Sequence, residues 1–375
     1  MKKILFIITH LELGGAQKQL FSLIKKLNQG EYSLFLCAGD CGYLKKDFTD
    51  LSFLKIKVIP ELVRNINPLY DFIAFIKLFF YIKNNKFDIV HTHSPKASFL
   101  GRWAAYFCGL KNIIYTVHGW SFHRFLNPIV YWIYLFLEKL TAKITKKIIV
   151  VSHADLNQGI KSKVSFPEKF VIIHYGIDIK RTDAIFLKRK FDCPSGNLIA
   201  NVSCLKSQKG LSYFLEAIRL ILNKRKDVKF SIIGDGPLRG NIRREIAKRK
   251  LTRYVSLEGW IGDISEIFFR ISILVISSLW EGLSLAVIEA VASGVPVVVT
   301  DTGGISDIVD ENRNGIKVGC KDTKTIADAV LGILGNYSQW HEKIIGAREK
   351  LDLRYWADER MVSQTERVYR EVLTQ

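Results

Sequence analysis

Residues 271–304 read ISILVISSLWEGLSLAVIEAVASGVPVVVTDTGG and carry the chain's most informative structural pattern. The apolar, β-branched run ISILVISS predicts a buried strand. The loop LWEGLS leads into LAVIEAVAS, which predicts a buried helix. Gly294 and Pro296 end this helix and begin a second apolar strand, VPVVVTD. Strand, helix and strand in this order predict a βαβ unit, and therefore a parallel sheet.

The same alternation runs along the rest of the chain. Further strand candidates are ILFIIT, YSLFLCAG, IKVIP, FDIVHTH, NIIYTVHG, KKIIVVSH, NLIANVS, VKFSIIGDG and YVSLEG, with helical stretches between several of them. The predicted fold class is α/β, with two doubly wound parallel-sheet domains in series. Residues 178–197 are charged, lack a strand pattern and end in Pro-Ser-Gly, so they predict the break between the domains.

The size and charge of the chain limit its partners. A length of 375 residues favours two domains, and a hydrophobic content of 48% allows each to bury a core. Lys and Arg outnumber Asp and Glu 55 to 36, which gives a formal charge of +19. This surplus favours nucleic acid, phosphorylated substrates or an acidic membrane. Nucleic acid is the weakest of the three, because no nucleic-acid motif is present and the lysines are spread over many helices.

Cysteine usage and apolar runs indicate the compartment. The scattered cysteines lack zinc spacing and predict reduced thiols in a cytosolic protein. They are Cys37, Cys41, Cys108, Cys193, Cys204 and Cys320. The apolar run after MKK is too short for a signal peptide and predicts a first strand. No stretch reaches the ~18 apolar residues of a membrane span.

Two glutamates bracket the start of the helix in the opening segment. Glu281 is predicted in the loop before the helix and Glu289 about two turns into it, with a rise between them of roughly 12 Å if both were helical. The free N–H groups near Leu283 and Ser284 would favour an anion such as a diphosphate. This arrangement suits a nucleotide diphosphate sugar, with the carboxylates accepting from sugar and ribose hydroxyls. The alternative is that Glu281 caps the helix and Glu289 is simply solvated.

Glycine-rich loops follow two of the predicted strands. Gly234-Asp235-Gly236-Pro237 follows VKFSII, with Pro237 predicted as the first residue of a helix. Thr302-Gly303-Gly304 follows VPVVVTD, where glycines permit close backbone approach. Each loop alone is ordinary for an α/β protein.

Together these segments resemble the retaining, nucleotide-sugar-dependent glycosyltransferases of family 4. The resemblance rests on EGLSLAVIEAVASGVPVVVTDTGG, VSCLKSQKG, SIIGDGPLRGNI, VIIHYGID and LELGGAQKQL, which keep the family's order and spacing. It implies the GT-B fold, in which two Rossmann-like doubly wound parallel-sheet domains face a central cleft. Residues 1–180 would bind the acceptor, residues 181–355 would bind the donor, and a helix over 356–375 would return to the N-terminal domain.

The resemblance also implies roles for individual residues. Glu281 would hold the hydroxyls of the transferred sugar, Glu289 the ribose and Lys209 the diphosphate. His118 would lie close to the transferred sugar; a satisfied loop histidine is the alternative. The implied catalytic residues are His118, Glu281 and Lys209. The implied donor-binding set also contains Gly14, Gly15, Gly234, Asp235, Gly236, Pro237, Gly282, Leu283, Ser284, Leu285 and Glu289.

The chain departs from the family pattern at two positions. Cys204 stands where the family usually has an arginine beside the lysine, and Arg239 or Lys206 could compensate for that charge. Tyr175 opens the loop that the family writes NGID. No Asp-x-Asp pair is present, so we expect metal-independent transfer, no metal site and no cofactor besides the nucleotide sugar, most favourably a UDP-sugar.

The segments VHTHSPKASFLGRWAAYFCG and HGWSFH resemble a subgroup that builds bacterial surface polysaccharides on lipid carriers. The predicted acceptor-side residues are His91, His93, Ser94, Lys96, Arg102 and His123. A zinc site from His91 and His93 is an alternative, although acidic or cysteine partners are lacking. The acceptor predicted is a glycan, with linkage to undecaprenyl diphosphate as one option.

Residues 71–87 and 122–147 mix aromatic, aliphatic and basic residues. They are either buried helices with a basic solvent face or segments that lie on anionic lipid. We therefore expect a cytoplasmic protein, peripheral on the inner face of the cytoplasmic membrane. The rival functions are a nucleotide-sugar epimerase, a phosphorylase, and a membrane-associated nucleotide-sugar binding protein impaired by Cys204.

Overall fold

The computed structural model describes residues 1–191, 197–263 and 265–374, which divide into two compact units. The first unit comprises Met1–Gly176 and the C-terminal segment from Asp358, and the second is Ile177–Ala357. The predicted boundaries were 180/181 and 355/356, so both changeovers lie within a few residues of them. The predicted break at 178–197 differs more, because its first part forms a helix of the second unit. Cys193 lies outside the described residues, and no disulfide joins the five described cysteines.

The first unit alternates strands and helices, as the apolar runs predicted. Its strands are β1 (Lys2–Ile7), β2 (Tyr32–Ala38), β3 (Lys55–Val58), β4 (Ile89–His93), β5 (Ile113–Val117), β6 (Lys147–Val150) and β7 (Phe170–Ile172). Its helices are α1 (Gly15–Lys26), α2 (Lys45–Thr49), α3 (Pro68–Asn85), α4 (Pro95–Phe107), α5 (Pro128–Lys143), α6 (His153–Lys161) and, at the C-terminus, α14 (Asp358–Thr374). All sheet pairings are parallel, in the order β3-β2-β1-β4-β5-β6-β7.

The second unit repeats this plan with six strands. They are β8 (Leu198–Val202), β9 (Lys229–Ile233), β10 (Val255–Gly259), β11 (Ile273–Ile276), β12 (Val297–Thr300) and β13 (Gly315–Val318). The helices are α7 (Ile179–Phe191), α8 (Leu211–Lys224), α9 (Arg239–Lys248), α10 (Ser265–Arg270), α11 (Leu285–Ala292), α12 (Thr323–Gly335) and α13 (Tyr337–Lys350). The parallel strand order is β10-β9-β8-β11-β12-β13.

The central strands are buried on both faces, which explains their continuous apolar sequences. Every residue of β11 and β12 is buried. Two strands escaped the sequence analysis because both are short: β7 has three residues, and β13 is a four-residue edge strand with a half-buried centre. The doubly wound order places the carboxyl ends of β8, β9, β11 and β12 at one edge of the second sheet.

The C-terminal helix α14 packs on α1 within the first unit. Asp358, its first residue, accepts from Lys26 Nζ at 2.5 Å and from Ser22 Oγ at 3.0 Å. Burial raises the pKa of Asp358, while the Lys26 ammonium holds the pKa of neighbouring Glu359 down to about 2. The buried side chains of α14, Tyr369 among them, face the sheet of the first unit. Among the described helices, none is both long and apolar enough to cross a membrane.

Candidate functional site

The loop after β11 holds a buried carboxylate paired with a lysine. Glu281 Oε1 accepts from Ser278 Oγ at 2.7 Å and forms an ion pair with Lys209 Nζ. The side chains of Glu281 and Lys209 are only 7% and 17% exposed. A pair this sheltered from water is attracted more strongly than a surface pair. Two of the predicted catalytic residues are therefore in direct contact.

Hydrogen bonds from one backbone N–H and two side chains hold the loops after β8 and β11 together. Ser277 Oγ donates to the Lys209 carbonyl at 3.0 Å, and Leu279 N donates to the Gln208 carbonyl at 2.7 Å. Gln208 Nε2 donates to the Trp280 carbonyl at 2.8 Å. Because β8 and β11 are neighbours in the sheet, these bonds hold Lys209 in reach of Glu281 although 72 positions separate them.

The Gly-Gly loop after β12 packs directly against the backbone of Glu281. Gly303 has φ +59°, and a Cβ there would lie 2.3 Å from the Glu281 carbonyl oxygen. Gly304 N donates to the Gly282 carbonyl at 2.7 Å. Only glycine fits at position 303, as the predicted close approach required.

Helix α11 begins at Leu285, directly beyond this loop. Ser284 is its N-cap and makes no side-chain capping bond, and Val287 N donates the first intrahelical bond to the Ser284 carbonyl at 3.1 Å. The N–H groups of Leu285 and Ala286 precede that bond, so the helix itself offers them no acceptor. This end of the helix can bind an anion.

Glu281 lies in the loop before the helix, as predicted, whereas Glu289 lies nearer the helix start than predicted. Glu281 lies four residues before the helix and pairs with Lys209, so the alternative of a helix cap is wrong. Glu289 is the fifth residue of α11 and half-buried, just over one turn in rather than about two. The helix starts at Leu285, as the sequence indicated, so Leu283 and Ser284 belong to the loop.

The GDGP loop after β9 borders the loop that contains Cys204. Leu205 N donates to the Asp235 carbonyl at 2.9 Å. Asp235 accepts from Gly236 N at 2.7 Å and pairs with Arg239 at 3.2 Å. Helix α9 begins at Arg239, so Pro237 lies in the preceding turn and the prediction that it opens the helix is wrong. Of the two cations considered as substitutes for the missing arginine, Arg239 is already paired with a carboxylate.

In the first unit, the loop residues Gly14 and Gly15 lie at the start of α1. Gly14 is the N-cap, and no acidic residue occupies the first turn. One turn further, Gln19 binds both backbone groups of Gly176, donating to its carbonyl at 2.7 Å and accepting from its N–H at 2.8 Å. The GGAQKQL segment therefore fixes the start of the YGID loop as well as opening the helix.

Three histidines lie together at the carboxyl ends of β4 and β5. His118 Nδ1 is 2.8 Å from Tyr175 Oη, and His118 Nε2 is 3.0 Å from His93 Nδ1. His91 bonds to Tyr369 Oη and Thr116 Oγ1, both at 2.7 Å. Burial lowers the pKa of His118 and of His91 to about 3 and that of His93 well below its usual value. Burial thus favours the neutral form of these rings. Both nitrogens of His91 are engaged in hydrogen bonds, which argues against a His91–His93 zinc pair.

The remaining acceptor-side residues have different environments. Ser94 caps α4 and bonds to Thr9 Oγ1 at 2.6 Å. Lys96 pairs with Asp71 and donates to the Asn65 carbonyl at 2.5 Å. His123 is half-buried, and burial lowers its pKa. These three remain predicted acceptor-side residues.

Arg102 does not fit the predicted acceptor role. Its side chain is 1% exposed, pairs with Glu138 at 3.0 Å and lies over the Tyr115 ring at 4.1 Å. It also donates to Thr145 Oγ1 at 3.2 Å. Arg102 is buried and links α4 to α5 and β5, so the prediction that it faces the acceptor was wrong. Sequence alone did not reveal its carboxylate partner 36 positions away.

Known proteins that resemble this chain are glycosyltransferases. Residues 13–181 match the model of Glycosyltransferase Family 4, and residues 196–336 match that of Glycosyl transferases group 1. The chain is 30% identical to UDP-Gal:alpha-D-GlcNAc-diphosphoundecaprenol alpha-1,3-galactosyltransferase of Escherichia coli, over 87% of each protein. It is 25% identical to the capsular polysaccharide biosynthesis glycosyltransferase CapM of Staphylococcus aureus, over 75% of this chain and 76% of CapM.

Solved structures show the same fold. The Anabaena protein HepE, crystallised with UDP and glucose, superposes with a TM-score of 0.80 over 99% of this chain and all of HepE, at 17% identity. The chain belongs to glycosyltransferase family 4 and has the GT-B fold. It is a glycosyltransferase of the hexosyltransferase class.

Proposed function

We propose that this enzyme transfers a sugar from a UDP-sugar to a lipid-linked glycan during synthesis of a bacterial surface polysaccharide. The observation that carries the proposal is the sheltered Lys209–Glu281 pair at the entrance of α11. The Escherichia coli relative is named for a UDP-Gal donor and a diphosphoundecaprenol-linked acceptor, which supports the same substrate classes here. No cofactor beyond the nucleotide sugar is needed for this chemistry.

The donor would be held along the loop and the first turn of α11. Lys209 has three N–H donors, so it can keep Glu281 and still donate to a diphosphate oxygen. The N–H groups of Leu285 and Ala286 add donors of fixed direction. Glu281 would accept from hydroxyls of the transferred sugar, and Glu289 from those of the ribose. The backbone of the GDGP loop borders the same edge of the sheet.

The same groups would stabilise the departing UDP. In the transfer, the bond between the anomeric carbon and the diphosphate oxygen breaks, and the acceptor oxygen bonds to that carbon. The electron pair of the broken bond leaves with UDP, and Lys209 with the helix N–H groups meets that charge. We propose that the acceptor hydroxyl proton goes to the diphosphate, that no metal takes part, and that the anomeric configuration is retained.

A transfer assay tests this function. The protein would be given UDP-galactose and a synthetic α-GlcNAc-diphospholipid, with UDP-glucose, GDP-mannose and ADP-glucose as alternative donors. We expect a disaccharide lipid from a UDP-sugar, with an α linkage by NMR and a rate unchanged by EDTA. An epimerase would convert the donor without any acceptor. An impaired binding protein would bind UDP and transfer nothing with any donor, and either result would contradict the proposal.

Helix α5 exposes an apolar stripe that could contact a membrane. Ile129, Trp132, Ile133 and Phe136 recur at helical spacing and are between 49% and 71% exposed. The opposite side of α5 is buried and carries Glu138 inside the unit. Exposed aromatic and aliphatic side chains near basic residues match an anionic lipid surface, and the chain carries a net charge of +19. We propose that this stripe lies on the cytoplasmic face of the membrane that holds the acceptor.

Replacing Trp132 and Phe136 together by serine is expected to weaken vesicle binding by roughly 10- to 100-fold, because two large apolar side chains no longer leave water. Cosedimentation with vesicles of phosphatidylglycerol and phosphatidylcholine measures the effect. Phe166→Ser is the matched control, since Phe166 is 76% exposed but lies outside the stripe. Equal binding of the double variant and the wild type would contradict the docking surface.

A further inference from the structure

Both ring nitrogens of His118 are occupied by side chains of its own unit. We propose that Tyr175 and His93 are positioning residues that hold the His118 ring in one orientation and one tautomer for sugar transfer. This inference rests on the proposed function together with the role that the family resemblance implies for His118, close to the transferred sugar. Tyr175 is one of the positions at which this chain departs from the family pattern, which has asparagine there.

The sheet brings His93 and His118 together. His93 is the last residue of β4 and pairs in register with Thr116 on β5. Because side chains two apart on a strand share a face, His118 projects on the same side as Thr116. The two imidazoles stack at 25° with ring centres 5.3 Å apart, and their nitrogens are 3.0 Å apart. The contact therefore follows from strand register.

Tyr175 is fixed just as firmly on the other side of His118. Its side chain is 5% exposed, and its hydroxyl oxygen is 2.8 Å from His118 Nδ1. The next residue, Gly176, is bound at both backbone groups by Gln19. A Cβ on Gly176 would lie 2.3 Å from the Asp358 Cα, so the loop is also pinned against the start of α14. The phenol therefore reaches the imidazole from a rigid backbone.

The surroundings favour neutral rings with one proton each. A neutral imidazole has one N–H and one lone pair, so one nitrogen of His118 must donate and the other must accept. The titratable groups next to the pair are His91 on β4 and Tyr175, and Tyr369 on α14 bonds to His91 in turn. Helix α1 contributes the uncharged Gln19. Burial supports this neutral state by lowering the pKa of His118 to about 3.

A small cavity completes the network. It has a volume of about 30 Å³, enough for one or two water molecules, and His91, His93, His118, Thr116, Tyr175 and Gln19 help to line it. Among the described residues, none bonds to the buried Nε2 of His93. The hydrogen bonds can therefore all point from Tyr175 through His118 to His93, or all point the other way. In both arrangements each group is neutral.

The direct test reads the His118 tautomer by NMR. Full-length protein labelled with ¹⁵N-histidine gives long-range ¹H–¹⁵N spectra, and His118→Asn identifies the His118 signals. We expect one neutral tautomer in the wild type across about pH 5.5 to 8. In Tyr175→Phe and in His93→Asn, we expect mixed tautomers, because the ring has lost one of its two fixed partners.

Kinetics show whether this order matters for transfer. Both variants are expected to lose at least about tenfold in kcat, with a smaller change in KM for the UDP-sugar, because a misdirected ring weakens the transition state more than donor binding. Tyr337→Phe is the control, since it removes a half-buried hydroxyl that donates to the Ser272 carbonyl in the second unit.

Tyr175→Phe removes a single oxygen atom, so it decides the question if His93→Asn fails to fold. An unchanged tautomer, or a wild-type kcat with a changed tautomer, would overturn the positioning role. A wild type that holds one tautomer yet transfers no sugar would instead contradict the proposed function, and the two failures are therefore distinguishable.

Discussion

Lys209→Met is expected to lower kcat/KM for the UDP-sugar at least about 100-fold, because a cation aimed at the departing diphosphate is lost. Methionine keeps much of the apolar stem of the side chain and removes only its charge and N–H donors. Initial rates of transfer at several donor concentrations measure the effect. We expect the loss mainly in kcat, since charge on the diphosphate is greatest as the bond breaks.

The control for this variant is Lys224→Met, which removes a lysine that is 67% exposed and pairs with Asp328 across the surface of the same unit. It should leave transfer unchanged. Activity within about threefold of wild type in Lys209→Met would remove the lysine from the proposed mechanism.

Measurements of stability separate the structural effect of the Lys209–Glu281 ion pair from its effect on catalysis. Lys209→Met leaves Glu281 without its cation in a site where that carboxylate is 7% exposed, so the free energy of unfolding should fall by about 1–3 kcal/mol. Adding Glu281→Gln removes the stranded charge and should restore much of that loss without restoring transfer. Urea unfolding of the two single variants and the double variant measures this coupling.

The second large effect is expected for Glu289→Ala, which should weaken UDP binding by roughly 10- to 100-fold. A carboxylate that accepts from two ribose hydroxyls makes charge-assisted bonds worth about 1.5–3 kcal/mol. Isothermal titration calorimetry with UDP, without any sugar, measures it. Both binding and transfer should fall, because this contact is made before and during the reaction.

Glu342→Ala is the matched control, because it removes an exposed glutamate of α13 in the same unit. It should bind UDP as the wild type does. Equal UDP affinity in Glu289→Ala would place the ribose elsewhere.

Much of the second unit was predictable because local sequence signals agreed with one another. Gly294 and Pro296 mark the end of α11 and the start of β12, and the apolar runs on either side leave little choice of structure. The contact between Lys209 and Glu281 was not predicted, since the family resemblance directs the lysine to the diphosphate. It depends on β8 and β11 being neighbours, which no local pattern reveals.

The first unit shows where sequence reasoning failed. Arg102 follows a strand rich in polar residues and was predicted to face an acceptor, but its partner Glu138 lies on another helix and draws it inside. In the sequence, Tyr175 appeared only as a departure from the family pattern. Its hydrogen bond to His118 forms only in the folded chain, so the sequence did not reveal it. For α5, one face is buried, as the buried-helix alternative predicted, and the other exposes apolar side chains; contact of that face with lipid stays a prediction.

We propose that the nucleotide binds at the N-terminus of α11, and hydrogen–deuterium exchange with and without UDP measures this binding at the backbone amides themselves. We predict slower exchange in residues 203–210 and 277–289 when UDP is present, strongest in peptides that contain the N–H groups of Leu285 and Ala286. Protection confined to other strands' loops, with these two segments unchanged, would contradict the account.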